Sequence, residues 1–236
     1  MKFSFDTIRL TETESTNTYA KALLKKGEPL MPYTLIYTEK QTAGRGRFDR
    51  NWYSTPGETL CMSLIVPFPF KPCVTLLSAL GIHRALKCMG ITDAKIKWPN
   101  DLVHENKKLC GILCESTQKA AVIGIGINLN NISFPADITH KATSLKALTG
   151  NSFDPYETAV KIAESIIEIL EETKGELSAK TSDEYTNLCV NIGREISFKN
   201  KSGIAVGIAP DGSLIAHTEA GLEQITSGEV TVSGIY

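Results

Sequence analysis

Three apolar stretches most constrain the fold of this chain of 236 residues. They read AKIKWP at 94–99, KKLCGILCES at 107–116 and AAVIGIGINLN at 120–130, and each is predicted to be a strand. A fourth stretch, ETLCMSLIV at 58–66, is also predicted to be a strand, with apolar residues at alternate positions on one face. Stretches as apolar as the first three are unsuited to the exposed edge of a sheet, so we expect them to be central strands.

Three other segments carry the signals of amphipathic helices. One follows the polar residues 15–16, which can cap it, and stops at Gly27, and a second runs from Pro72 to Gly90. The third, at 154–175, starts with Asp154 as cap and repeats apolar residues at helical spacing. Helices and strands in this mixture predict an α+β fold with a mixed β-sheet flanked by helices.

The pattern changes after about residue 190, where short strands alternate with turn sequences such as NKSG and PDG. About 46 residues of such strands are typical of a small barrel. We therefore predict one domain at 1–190 and a small C-terminal SH3-like β-barrel at 191–236, packed tightly together because no long linker separates them.

Charge and composition limit the classes of partner. Lysine plus arginine (25) nearly equals aspartate plus glutamate (26), so the chain as a whole has no attraction to nucleic acid or acidic lipid. The N-terminal residues lack the apolar core of a signal peptide, and no apolar run approaches a membrane span. The six cysteines form no CxxC pair and the four histidines are dispersed, so no metal site is visible and a reducing cytoplasm is expected.

The segment QTAGRGRFDRNW at 41–52 concentrates flexible backbone, positive charge and an aromatic ring. Gly44 and Gly46 permit close approach to a ligand. The arginines at 45, 47 and 50 carry planar groups suited to phosphate or carboxylate, and Trp52 could stack on a flat ring. These features match the phosphates and base of a nucleotide. An RNA-binding segment or a solvated basic turn is the alternative that the composition leaves open.

Three further motifs are weaker when taken singly. KWPNDLVHENKKLCG at 97–111 places Asn100 and Asp101 at a strand end. Lys108 lies at the start of the next strand, where it is either an inward-facing cation or an edge residue that prevents aggregation. STN at 15–17 is either a helix cap or a set of polar ligand contacts. GIGINLN at 124–130 has Leu129 in place of a third glycine, which argues against a Rossmann dinucleotide site.

The order of these motifs along nearly the whole chain resembles that of the biotin protein ligases, also called biotin–(acetyl-CoA-carboxylase) ligases. The combination of GRGR with KWPND is specific for that family. The resemblance implies that biotin and ATP form biotinyl-5′-AMP and pyrophosphate, with Mg²⁺ as cofactor. The biotinyl group would then pass to one lysine of a biotin carboxyl carrier protein.

The resemblance also implies roles for individual residues. Lys108 would contact the reacting carboxylate and the α-phosphate, with Arg47 and Asp101 as the other catalytic residues. Biotin contacts are expected from Ser15, Thr16, Asn17, Gln41, Arg45, Gly46, Arg47 and Lys108. ATP or adenylate contacts are expected from Arg45, Arg47, Arg50, Trp52, Asn100 and Asn128. No motif supplies a metal site directly; Mg²⁺ would be held by Asp101 and the phosphates, or Asp101 would instead orient the acceptor lysine.

Two departures from the family pattern stand out. GRGRFDR replaces the frequent GRGRRGR, which puts Phe48 and Asp49 into the ligand-covering loop, and Ser233 replaces an arginine near the C-terminus. Because STN starts at residue 15, an N-terminal DNA-binding domain is not expected, and a mono-functional enzyme without operator binding is predicted. The resemblance also implies a homodimer formed through an exposed strand, although nothing in the sequence identifies the interface.

Two other functions remain open at this stage. A lipoate or octanoate protein ligase would share the core fold, although the Gly-Gly-Gly segment expected of lipoyl ligases is absent from the sequence. A non-catalytic biotin-binding protein could dispense with Lys108, which is present.

Overall fold

The computed structural model describes residues 3–27, 29–67, 71–117 and 120–236. Within them, the chain forms a mixed sheet flanked by helices and a smaller antiparallel sheet formed by the C-terminal residues. The predicted α+β fold class is therefore confirmed. None of the helices in these residues is long and apolar enough to cross a membrane.

Seven strands of the described chain form the larger sheet. They are β1 (Asp6–Arg9), β2 (Thr34–Thr38), β3 (Thr59–Val66), β4 (Lys95–Lys97), β5 (Asp101–His104), β6 (Lys107–Ser116) and β7 (Ala121–Asn128). Their order is β1-β2-β3-β7-β6-β5-β4, in which only β1 and β2 pair in parallel. The sheet thus brings β3, β6 and β7, which are far apart in sequence, side by side.

The prediction of central strands is confirmed for β6 and β7 and is wrong for β4, which lies at one edge of the sheet. The apolar character of β4 has another cause. Ile96 is fully buried and forms a parallel bridge with Cys189, and its carbonyl accepts a hydrogen bond from Val190 N at 2.8 Å. A later segment of the chain therefore covers this edge, which removes the need for polar edge residues.

Five α-helices are present in the described residues: α1 (Thr16–Lys26), α2 (Pro72–Cys88), α3 (Leu145–Thr149), α4 (Pro155–Thr173) and α5 (Ala179–Leu188). The three predicted helices correspond to α1, α2 and α4. Asp154 caps α4 as expected, because its carboxylate accepts from Glu157 N at 2.8 Å. The apolar stripe of α4 is fully buried and packs against α2 and the sheet. Neither α3 nor α5 was predicted.

The smaller sheet consists of β8 (Glu195–Phe198), β9 (Lys201–Ile208), β10 (Leu214–Thr218), β11 (Gly221–Ile225) and β12 (Thr231–Val232), in the order β11-β10-β9-β8-β12. Trp98, which follows β4, connects the smaller sheet to the rest of the chain through two hydrogen bonds. Its indole N–H donates to Gly212 O at 2.9 Å, and its backbone N–H donates to Asn191 Oδ1 at 2.9 Å. The exact boundary predicted between residues 190 and 191 stays a prediction.

Candidate active site

The N-terminus of α1 forms one end of a cleft above the larger sheet. Ser15 occupies the N-cap position, yet its hydroxyl makes no capping hydrogen bond with the described first turn. Gln41 caps the helix instead, because its Oε1 accepts from Thr16 N at 2.8 Å. Gln41 is itself fixed by Ser54, whose hydroxyl accepts from Gln41 N at 2.8 Å. Both Ser15 and Gln41 line the cleft, and the amide nitrogen of Gln41 lies beside Gly44.

Asn17 lies deeper and is held by residues that the sequence motifs did not indicate. Its Nδ2 donates to Leu113 O at 3.0 Å and to Glu115 Oε2 at 2.8 Å. Its Oδ1 accepts from Ser63 Oγ at 2.6 Å, and Lys21 forms an ion pair with Glu115. The only available signal for Ser63 was a polar residue within the apolar strand β3.

The segment 41–52 folds into a compact loop over the cleft. Arg45 and Asn51 form an isolated antiparallel β-bridge, and Gly46 N donates to Arg50 O at 2.7 Å. A single 3-10 turn at Arg47–Asp49 forms the tip, where Phe48 has φ 56° and is 58% exposed. The left-handed region is unfavourable for a bulky side chain. The side chain of Asp49, the other departure from the family pattern, lies outside the described part of the chain.

The arginines of this loop contact residues far away in sequence. Arg47 donates from Nη1 to Asn100 Oδ1 at 3.2 Å and from Nη2 to Gly228 O at 3.0 Å. Arg50 forms an ion pair with Glu229. Burial lowers the pKa of the Arg47 guanidinium, whereas the nearby negative charges of Asp101 and Glu229 act in the opposite direction. Through these contacts the loop is fastened to the segment that connects β11 and β12.

Lys108 and Asp101 form the charged centre of the site. Lys108 Nζ lies 2.8 Å from Asp101 Oδ1, and the Tyr236 hydroxyl donates to Asp101 Oδ2 at 2.7 Å. Lys97 Nζ lies 3.7 Å from the centroid of the Tyr236 ring, a cation–π contact. Burial lowers the pKa of Lys97 to about 8, and the same effect raises that of Tyr236. The sequence analysis assigned no role to Tyr236, nor to Lys97 within the KWPND motif.

Glycines in the sheet make room for two of the predicted site residues. A Cβ on Gly126 would lie 2.3 Å from Trp52 Cε2, and a Cβ on Gly124 would lie 2.3 Å from Asn17 Oδ1. The glycines of GIGINLN therefore let these side chains lie directly on the sheet. Residues 124–128 of this motif lie within β7 itself, whereas a Rossmann fingerprint follows a strand and opens a helix.

Together these elements line a cleft that is partly open to solvent. Of the predicted residues, the cleft lining contains Ser15, Thr16, Asn17, Gln41, Arg45, Gly46, Arg47, Trp52, Asn100 and Lys108. Asp101 and Arg50 are not among the lining residues. Asp101 pairs with the lining residue Lys108, and Arg50 pairs with Glu229. Asn128 does not join them, because it is buried and donates to Thr143 O at 3.0 Å.

Comparison with known proteins places this cleft in a family context. The family model described as the biotin/lipoate A/B protein ligase family matches residues 10–130. A second model, described as the biotin protein ligase C terminal domain, matches residues 192–233. The first match spans the loop, the cleft-lining strands and the N-terminus of α1, and the second spans the smaller sheet.

Individual relatives agree with these matches. The bifunctional ligase/repressor BirA of Bacillus subtilis is 32% identical over 218 residues, which cover 84% of this chain; the chain spans 65% of the length of that relative. The biotin–(acetyl-CoA-carboxylase) ligase of Paracoccus denitrificans is 28% identical, with 95% of this chain and 100% of the relative covered. A structure of the biotin protein ligase from Aquifex aeolicus in complex with biotin and ATP is similar with TM-score 0.85 and 29% identity, covering 96% of this chain and 98% of that one.

Proposed function

Since the chain belongs to the biotin/lipoate A/B protein ligase family, we propose that it is an ATP-dependent biotin–protein ligase. In the first step, a carboxylate oxygen of biotin attacks the α-phosphorus of ATP, and pyrophosphate leaves. In the second step, the amine of one lysine on a biotin carboxyl carrier protein attacks the acyl carbon of biotinyl-5′-AMP, and AMP leaves with loss of one proton from the amine.

The observation that carries the proposal is the polarity of the cleft along its length. At one end, above Ser63 of β3, Thr16 and Gln41 supply uncharged hydroxyl and amide groups. At the other end, against Gly111 of β6, Lys108 supplies a cation, and Arg47 supplies a second one beside Asn100. Biotin has a cyclic urea, which both donates and accepts hydrogen bonds, at one end and a carboxylate at the other. Its two ends therefore match the two ends of the cleft.

Electrostatic stabilisation explains how these groups would promote the first step. Two anions, the carboxylate and the α-phosphate, must approach each other, and charge builds up on the phosphoryl oxygens. Lys108 Nζ, now paired with Asp101 at 2.8 Å, is the cation that would move to these oxygens. Arg47 is held beside the cleft by Asn100 and would bind the phosphate or the carboxylate. Alignment and charge neutralisation supply the rate enhancement, with no covalent enzyme intermediate.

The residues around Asp101 do not form a ready-made magnesium site. One carboxylate oxygen is paired with Lys108 and the other accepts from Tyr236. In the described parts of the chain, no three His, Cys, Asp or Glu side chains are grouped closely enough to hold a metal ion. Mg²⁺ commonly binds through substrate phosphates and water, so we propose that it enters with ATP. In the protein without substrates, Asp101 serves to position Lys108.

A labelling assay tests the function. The purified chain, incubated with ATP, Mg²⁺, biotin and a biotin carboxyl carrier domain, should add one biotinyl group to the carrier, detected by mass spectrometry. Lipoate and octanoate are offered in parallel, because the family includes lipoate ligases. Modification with lipoate or octanoate alone would assign the chain to that other branch. Biotin binding without pyrophosphate release would indicate a non-catalytic binder. The homodimer and the cytoplasmic location stay predictions.

A further inference from the structure

The orientation of the Asn17 amide at the closed end of the cleft is fixed by its neighbours. One side of the amide faces Leu113 O at 3.0 Å and Glu115 Oε2 at 2.8 Å. A carbonyl and a carboxylate only accept hydrogen bonds, so Nδ2 must be on that side. Lys21 also forms an ion pair with Glu115. Asn17 Oδ1 consequently points to Ser63.

The orientation of Asn17 determines where the hydroxyl protons of Ser63 and Thr16 lie. Ser63 Oγ is 2.6 Å from Asn17 Oδ1 and 2.7 Å from Thr16 Oγ1, and Ser63 is fully buried. Its single proton must go to Asn17 Oδ1, which cannot donate. The short contact between the two hydroxyls then requires Thr16 to donate to Ser63. The lone pairs of Thr16 Oγ1 are thereby left to accept a hydrogen bond from a ligand.

Gln41, next to Thr16, has a free hydrogen-bond donor where Thr16 has a free acceptor. Its Oε1 accepts from Thr16 N at 2.8 Å, so its Nε2 is on the other side of the amide, beside Gly44, and Gln41 is one of the residues that line the cleft. The closed end therefore presents an acceptor, Thr16 Oγ1, next to a donor, Gln41 Nε2. A cyclic urea presents the complementary pair, an N–H next to a C=O.

We propose that Ser63 and Glu115 are positioning residues that set this hydrogen-bond direction and thereby select a cyclic urea as the ligand head group. Neither needs to touch the ligand, because Glu115 acts through Asn17 and Ser63 acts through Thr16. The inference rests on the proposed function, in which biotin is the substrate. It adds that specificity for the urea is determined one layer behind the residues that line the cleft.

Removal of the Ser63 hydroxyl has a defined consequence. In Ser63→Ala, the proton of Thr16 loses its acceptor and turns to Gln41 Oε1, which lies 3.2 Å away. This rotation moves a lone pair of Thr16 away from the ligand N–H. A lost or misdirected hydrogen bond of this kind weakens binding about tenfold. In Glu115→Gln, the new amide can present its own N–H to Asn17, which permits the Asn17 amide to flip and reverses the order of donors and acceptors.

Calorimetric titration of the full chain with biotin tests the inference. Ser63→Ala and Glu115→Gln should each bind biotin about tenfold more weakly than wild type. Desthiobiotin, which keeps the cyclic urea and lacks the sulfur, should lose affinity by the same factor. The KM for ATP should stay within about twofold. The matched control is Ser78→Ala, since Ser78 is equally buried and its hydroxyl donates to Val74 O of its own helix.

Several outcomes separate this inference from the proposed function. If wild type binds no biotin, the proposed function fails. If wild type binds biotin and a cooperatively folded Ser63→Ala binds it within twofold, the inference is wrong. A KM for ATP that rises as much as biotin affinity falls would show a general structural defect and also overturn it. Glu115 is partly exposed, so Glu115→Gln provides the test if Ser63→Ala does not fold.

Discussion

Lys108 Nζ lies 2.8 Å from Asp101 Oδ1, and the two side chains belong to neighbouring strands of one hairpin. The pair is mostly shielded from water, with side-chain exposures of 31% for Lys108 and 14% for Asp101. Loss of one partner from a shielded pair leaves the other charge uncompensated. The carboxylate therefore holds the ammonium group at the cleft until an anionic substrate replaces it.

Replacement of Lys108 should abolish most of the first chemical step. We expect Lys108→Ala to slow formation of biotinyl-5′-AMP in a single turnover by about 100-fold or more, because one preorganised donor to a developing oxyanion contributes about that factor. Lys107→Ala is the matched control, since Lys107 is adjacent and exposed. Adenylation by Lys108→Ala within a few-fold of the control rate would remove this residue from the catalytic role.

Tyr236 should affect the rate through Asp101. Its hydroxyl donates to Asp101 Oδ2 at 2.7 Å. In Tyr236→Phe the ring contact with Lys97 remains while this hydrogen bond is lost, so the Asp101 carboxylate becomes free to rotate away from Lys108. We expect kcat for adenylation to fall about three- to tenfold, the value of one hydrogen bond, with KM for biotin unchanged.

The control for this variant is Tyr156→Phe, because Tyr156 is 41% exposed and its ring contact with Tyr37 survives the change. Steady-state kinetics and thermal unfolding of both variants provide the comparison. If Tyr236→Phe retains the wild-type kcat, Tyr236 has no positioning role. If KM for biotin rises while kcat is unchanged, its effect lies in the binding pocket instead.

The extent to which the fold was predictable depends on how much apolar surface each element buries. Helix α4 buries a continuous stripe and has both an N-cap and a first-turn proline, so its periodicity was clear. Helix α5 buries only Thr181 and Tyr185 among its ten residues, and most of its sequence is polar. Strand β1 is short and mostly exposed. Such elements are stabilised by the surrounding structure and leave little periodic signal in the sequence.

The candidate site was predictable where its residues are clustered in sequence. STN, GRGR and KWPND each supply several cleft residues within a few positions. Ser63, Glu115, Tyr236 and Glu229 are single residues in unrelated elements, and only tertiary contacts bring them to the site. Sequence motifs thus indicated the lining of the cleft. They could not indicate which groups fix the directions of its hydrogen bonds.

Gly126 should be intolerant of a side chain. A Cβ at this position would lie 2.3 Å from Trp52 Cε2, which forces the indole off the sheet. We expect Gly126→Ala to raise the KM for ATP at least about tenfold, if Trp52 lies by the adenine as the family resemblance implies, and to destabilise the fold by about 1–3 kcal/mol. Nucleotide titrations and urea unfolding measure the two effects.

Gly207→Ala is the control for this change, since an added Cβ there meets only Ile215 Cδ1, at 4.0 Å. It should leave both the KM for ATP and the free energy of unfolding close to wild type. A Gly126→Ala variant with the same ATP affinity as Gly207→Ala would show that the indole has no part in nucleotide binding.

The ion pair between Arg50 and Glu229 should compete with ATP. If Arg50 binds the phosphates, Glu229 must first release it. Glu229→Gln is therefore expected to lower the KM for ATP about two- to fivefold, a small effect because both side chains are more than half exposed. The difference should shrink in high salt, which screens the pair. A KM for ATP that rises in Glu229→Gln would instead indicate that Glu229 holds the loop in its active position.

Lys97 should make the stability of the protein depend on pH in the alkaline range. Burial lowers its pKa in the folded protein to about 8, against an ordinary value of 10.5. Between these two pH values the unfolded chain keeps the proton that the folded protein has lost. Stability rises with pH wherever the unfolded state binds more protons. The contribution of Lys97 is therefore least favourable below pH 8 and becomes more favourable as the pH rises toward 10.5.

Comparison of wild type with Lys97→Met isolates this contribution, because other groups that titrate in the same range are common to both proteins. Urea unfolding at pH 7, 8, 9 and 10 should show wild type gaining stability relative to Lys97→Met as the pH increases. Methionine removes the charge and keeps an unbranched side chain in the buried site. If the difference in free energy of unfolding is constant over this range, Lys97 titrates normally. In that case contacts with Asp101 and the Tyr236 ring compensate fully for its burial.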